Sequence, residues 1–272
     1  MIPSARRMFF SLLLLASPLV HATQSDNTTL GIEVIRAHFQ GAGLVPYLLA
    51  NFTPTALLTA TYTGGGIVTP GQLLPKSRTQ TAPNLTITPA NMTTLLNEKY
   101  TLVMVDAWAP GHTDPRGQIC HWVVNGVIVQ DHSVLTHAGV VVEQYRGPNP
   151  PSGSGPHCYA VLLYAQQFLT VPPLQKFHTQ NNDPGFFHLA DYVKASNIGP
   201  LIAGTYFTVE EGVATFTPSP TSPIMTSTLL ASGSSGPSAS AAGSVAQHNG
   251  ALSSSSNYLT IFLAPFLWLL AL

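Results

Sequence analysis

The chain has 272 residues, 45% of them apolar and only 8% charged, with a net charge of -1 at pH 7. That length allows one sizeable domain with extensions, and so few charges leave no electrostatic footprint for a nucleic acid or another polyanion. Part of the apolar content sits at the two chain ends, where it reads as processing signal and not as core.

At the N-terminus, Arg6 and Arg7 precede an apolar run from Met8 to Leu15, and Val20-His21-Ala22 supplies small residues at the -3 and -1 positions of a cleavage site. This predicts a secretory signal peptide over 1–22; a membrane anchor is the alternative, disfavoured because the run is shorter than the roughly 20 residues that span a bilayer. Export agrees with four N-x-[ST] sequons at Asn27, Asn51, Asn84 and Asn91. In an oxidising compartment the two cysteines, Cys120 and Cys158, favour one disulfide over two free thiols.

Between these ends the expected domain covers 23–212. Short β-branched or aromatic runs dominate it: "TALLTATYT", "YTLVMVDAW", "CHWVVNGVIV", "CYAVLLYAQ" and "GTYFTVE", separated by Gly and Pro clusters. Helical periodicity is sparse. Its best instance is "GFFHLADYVKAS" (185–196), where Phe187, Tyr192 and Val193 can share a face. The pattern predicts a mostly β domain with few helices.

Residues 213–249 are rich in Ser, Thr, Ala, Pro and Gly without hydrophobic periodicity, as expected of an extended stalk that buries too little surface to fold. A polar spacer then leads into "YLTIFLAPFLWLLAL" (258–272), which has no cationic flank. Small residues followed by a spacer and an apolar tail form a GPI-attachment signal, with Asn249 as the preferred site and 250–272 as propeptide; a plain tail anchor is the alternative. Both signals together place the mature chain on the outer face of the plasma membrane, or in a cell wall, held by lipid alone.

Three strand ends present polar side chains beside irregular loops. Asp106 closes "YTLVMVDAW", where a carboxylate needs a partner if buried. His121 heads the strand "HWVVNG", and "YRGPNPPSGSGPHCY" runs through glycines and prolines into His157, Cys158 and Tyr159. Singly, each histidine is more often a packed structural residue than a ligand.

In order along the chain, Asp106-Ala107-Trp108-Ala109-Pro110, His121-Trp122 and the 147–159 block resemble the motifs of the phosphatidylethanolamine-binding protein family, also known as the kinase-inhibitor-protein family. The resemblance implies an antiparallel β-sandwich with a small anion pocket at one end, lined by Asp106, Pro110, His121, Gly147, Pro151, His157 and Tyr159, and an Ala109-Pro110 peptide suited to the cis form. Two residues depart from it: Trp108 stands where the family has a second acid, and Cys158 where it has an arginine. With both histidines facing the pocket, strand alternation turns both cysteines to the opposite face, where a Cys120-Cys158 disulfide between adjacent strands is expected.

The function implied is non-catalytic binding of phosphate-type anions or phospholipid head groups, without a cofactor. Inhibition of a protease of the serine carboxypeptidase kind is the alternative, since some relatives inhibit such enzymes. A metal-dependent hydrolase built on Asp106, His121 and His157 ranks last, because no local ligand spacing supports it. No G-x-S-x-G elbow, Walker loop or dinucleotide loop is present.

Overall fold

The computed structural model describes residues 19–91, 98–112, 114–166 and 187–217. Most of the signal segment, the stalk from 218 onward, Asn249 and the terminal apolar run lie outside the described residues. Among the described residues no helix is long and apolar enough to cross a membrane.

Among the described residues nine antiparallel strands form one connected sheet: β1 (Ala56–Tyr62), β2 (Gly66–Ile67), β3 (Asn84–Pro89), β4 (Lys99–Asp106), β5 (Ile119–Gln130), β6 (Ser133–Leu135), β7 (Val140–Glu143), β8 (His157–Gln166) and β9 (Leu201–Val209). The order across the sheet is β2-β1-β3-β6-β5-β4-β8-β9, with β7 paired to β5. The sandwich expected from the resemblance is replaced by a single sheet curled into a half-barrel. Its ends are drawn together by backbone hydrogen bonds from Thr55 to Ile202, Gly71 to Tyr206 and Leu74 to Thr208.

Burial explains the sequence pattern. β4 and β8 are central and covered on both faces, so they read as continuous apolar runs, while β1 alternates buried and half-buried residues. Tyr62, Tyr100, Met104, Trp122, Tyr159 and Phe207 fill the inside of the curl. On the outer face Val105, Cys120, Cys158 and Leu162 pack against helices.

Those helices are α1 (Leu19–Gly41), a single interrupted turn α2 (Leu44–Tyr47), and α3 (Leu189–Ala195). α1 has no counterpart among the sequence expectations. Its buried stripe is Thr28, Ile32, Ile35 and Phe39, a helical spacing that includes one polar residue. The Phe39 ring stacks on Phe52 at 4.1 Å and meets Tyr206 edge-on at 5.4 Å. α3 is shorter than the expected 185–196. Phe187 and Tyr192 are buried with ring centroids 5.3 Å apart, but Phe187 precedes the helix, so it does not share a helical face with Tyr192 and Val193 as expected; it exchanges backbone hydrogen bonds with Gln118 instead.

Candidate anion-binding site

Strand register puts the polar residues together. Asp106, the last residue of β4, lies opposite Ile119 of β5 and Tyr159 of β8. Residues two apart on β8 share a face, so His157 and Tyr159 both look toward Asp106, while Cys158 turns to the outer core. His121 reaches the same place by another route. Met104 pairs with Trp122 and Val105 with Cys120, so His121 is the extra residue of a β-bulge. A bulge redirects a side chain, and here the imidazole packs edge-on against Tyr159 with ring centroids 5.1 Å apart.

The polar contacts are specific. Asp106 is 2% exposed, its Oδ2 lies 2.7 Å from His157 Nδ1, and its Oδ1 accepts the Trp108 backbone N–H at 2.8 Å. His121 Nδ1 lies 2.7 Å from the Arg146 carbonyl oxygen, and the Arg146 N–H donates back to the His121 carbonyl at 2.8 Å. Burial pulls the His121 imidazole below its ordinary range, outweighing the Arg146 carbonyl and the nearby Asp106 carboxylate, which both favour the charged form. The Tyr159 hydroxyl is buried near Asp106 and the Asn149 backbone, completes no hydrogen bond, and is pushed far up by desolvation, so it stays protonated.

Four of the predicted residues therefore converge: Asp106, His121, His157 and Tyr159. The other three lie in the loops around them. Pro110 lines a cleft with Leu44, Tyr47, Trp108, His112 and Cys158; Gly147 lies against Gln80; and Pro151 is exposed. The Ala109-Pro110 bond is trans, and the cis proline among the described residues is Pro46.

The two departures have structural roles. Trp108 adopts a positive φ of 65°, donates its indole N–H to Gly117 O at 2.9 Å, and packs its ring 5.7 Å from that of His157. Cys158 is buried on the outer face, where desolvation holds its thiol at about 12. The expected disulfide is not formed; both cysteines are free and buried. The reason is topological: β4 lies between β5 and β8, so the two residues are two strand spacings apart, roughly 9.5 Å. A disulfide requires Cα atoms within about 7 Å.

Sequence reasoning missed Arg146, whose backbone holds His121 from both sides. Its position just before Gly147, at the end of the strand-to-loop transition, was the only signal. Among the described residues no group of three or more His, Cys, Asp or Glu is placed to hold a metal.

The phosphatidylethanolamine-binding protein family model matches residues 51–207, more than half of the chain. The chain belongs to this family. α1 lies outside the match. An uncharacterized protein of Saccharomyces cerevisiae, YLR179C, is 28% identical over 172 residues, covering 58% of this chain and 84% of the relative. The carboxypeptidase Y inhibitor of the same yeast is 28% identical over 142 residues, 43% of this chain and 65% of that protein, just under two thirds of its length. A crystal structure of carboxypeptidase Y inhibitor with its cognate proteinase superposes with a TM-score of 0.55 at 24% identity, over 68% of this chain and 97% of the inhibitor, which establishes a shared fold.

Proposed function

We propose that this member of the family is a non-catalytic, cell-surface receptor for phosphate-type anions, including the head group of phosphatidylethanolamine. The observation that carries the reading is the convergence of Asp106, His121, His157 and an unpartnered Tyr159 hydroxyl at one end of the curled sheet. An unsatisfied buried hydroxyl is costly, and a ligand oxygen relieves it. Protonated imidazoles supply further donors to an oxyanion, so binding strengthens at mildly acidic pH.

The surface location rests on the two terminal signals in the sequence, with Asn249 as the lipid-bearing residue. All four sequon asparagines are exposed, which leaves each open to glycosylation on an export route.

The test is calorimetric titration of the full-length chain, secreted from a eukaryotic host, with phosphoethanolamine between pH 5 and 8, repeated on His121→Ala. Binding that weakens as pH rises and is lost in the variant supports the reading. Affinity independent of pH, or unaffected by the substitution, refutes it.

A second reading, inhibition of a serine carboxypeptidase, is favoured by the similarity to carboxypeptidase Y inhibitor in both sequence and fold. Inhibition of a proteinase uses a surface of several hundred Å² per partner and not a small cavity. Inhibition that survives His121→Ala supports this alternative.

A further inference from the structure

The loop that leads into His157 is held at its tip by a segment that lies beyond the family match, which ends at residue 207. β8 and β9 stay paired as far as His157 and Val209. Past Val209 the chain turns at Gly212, where φ is +71°, and crosses the tip of the 147–156 loop. There the Gly153 N–H donates to Glu211 O at 2.9 Å. The Gly153 carbonyl accepts the Thr215 N–H at 2.9 Å and the Thr215 hydroxyl at 3.0 Å.

Glycine on both sides lets the two segments come this close. Gly153 has a φ of +82°, and a Cβ there would lie 3.0 Å from Thr215 Cγ2. At Gly212 a Cβ would lie 2.5 Å from Ser152 Oγ. Gly153 is buried, so its N–H and C=O need partners within the protein, and the crossing segment supplies both. Ser154 closes a turn beside it, its N–H and hydroxyl donating to Pro151 O at 3.1 Å and 2.6 Å.

The other limb of the loop is fastened by a different part of the chain. Gln80 Nε2 donates to Pro148 O at 3.1 Å, and the Tyr145 hydroxyl donates to Thr79 O at 2.6 Å. Lys76, which opens the short turn Lys76–Thr79, pairs with Glu211 at 3.2 Å, so the two fastenings are joined to each other. Between them the Asn149 backbone lies beside the Tyr159 hydroxyl, and Gly153 leads on into His157. Releasing the tip leaves the loop fastened at one limb, and the position of Asn149 relative to Tyr159 loosens with it.

We propose that residues 211–215 form a strap that positions the anion-site loop, and that by holding Gly153 they set how long a bound anion is retained. They act through the loop and are positioning residues. The proposal rests on the anion-binding reading above and adds to it a part of the chain that the family match does not include. Residues 213–215 also fall in the stretch that composition assigns to the stalk, so the first residues of that stretch are bonded to the site loop.

The experiment compares Thr215→Pro and Thr215→Ser in the full-length chain. Proline removes both groups that donate to Gly153 O, at an exposed position outside the core, whereas serine keeps both. Three quantities are measured: amide hydrogen exchange across 147–156, the affinity and dissociation rate of phosphoethanolamine, and the urea midpoint. In Thr215→Pro the loop amides are expected to exchange at least about fivefold faster, and phosphoethanolamine to bind about five- to tenfold more weakly through faster release, the equivalent of one net hydrogen bond. The urea midpoint is expected to stay at the parent value, and Thr215→Ser to match the parent throughout. Faster loop exchange with unchanged affinity overturns the positioning role and leaves the anion site standing. Unchanged loop exchange overturns it too, as does faster exchange over the whole domain with a lower midpoint, the mark of a purely structural segment. No binding by the parent protein overturns the anion reading, and the role given to the strap falls with it.

Discussion

Replacing Asp106 with asparagine tests the centre of the site with almost no change in shape. The carboxylate is 2% exposed and accepts two hydrogen bonds, from the Trp108 backbone N–H at 2.8 Å and from His157 Nδ1 at 2.7 Å. Asparagine has one acceptor oxygen. If that oxygen keeps Trp108, whose positive φ depends on local anchoring, the amide NH2 faces His157 and drives its proton from Nδ1 to Nε2. A charge-assisted hydrogen bond is exchanged for a neutral one, so Asp106→Asn should destabilise the fold by about 1–1.5 kcal/mol. Asp106→Ala strands both donors and should cost about 3–5 kcal/mol. Urea unfolding of the full-length protein, followed by tryptophan fluorescence, measures both as a lower midpoint with an unchanged slope. A midpoint for Asp106→Asn within about 0.5 kcal/mol of the parent would show that the buried pair contributes little and that the reasoning is wrong.

Three further outcomes are expected. Thiol titration of protein unfolded without reductant should find two reactive thiols, and none in the folded state; no thiol after unfolding would mean that the cysteines are bridged. Stability should fall on both sides of neutrality. Burial lowers the folded pKa of His121 below its unfolded value near 6.5, so its contribution is complete above that pH and is lost as pH falls through the folded pKa; burial raises Cys120 and Cys158 from 9 to about 12, so theirs is lost as pH rises above 9, at about 2.7 kcal/mol per pH unit for the pair. Flat stability between pH 9 and 11 in a urea series would contradict this. Gly117→Ala should destabilise by about 2 kcal/mol or more, because φ there is +111° and the new Cβ would lie 2.8 Å from Phe187 O, and thermal unfolding of that variant checks it.

The central strands and the site's chemical groups were legible in the sequence for a simple reason. β4 and β8 are buried on both faces, so uninterrupted apolar runs mark them, and the polar residues that close or open those runs are conspicuous. His157 and Tyr159 could be assigned to one face of β8 by alternation alone. α1 was not legible, because its buried stripe includes Thr28 and one of its partners, Tyr206, lies far away in the sequence.

What only the tertiary structure decided is neighbourhood. Alternation specifies the face of a strand but not which strand lies beside it, and the insertion of β4 between β5 and β8 separates two cysteines that do share a face. The bulge that turns His121 toward Tyr159 depends on pairing with β4, and the contacts of the two Nδ1 atoms depend on Arg146 in the loop after β7 and on Asp106 in β4. The residue types therefore determined what chemistry this protein carries, while strand order and register decided which of those groups meet, because hydrogen bonds and ring contacts act over a few ångströms and the chain alone does not set those distances.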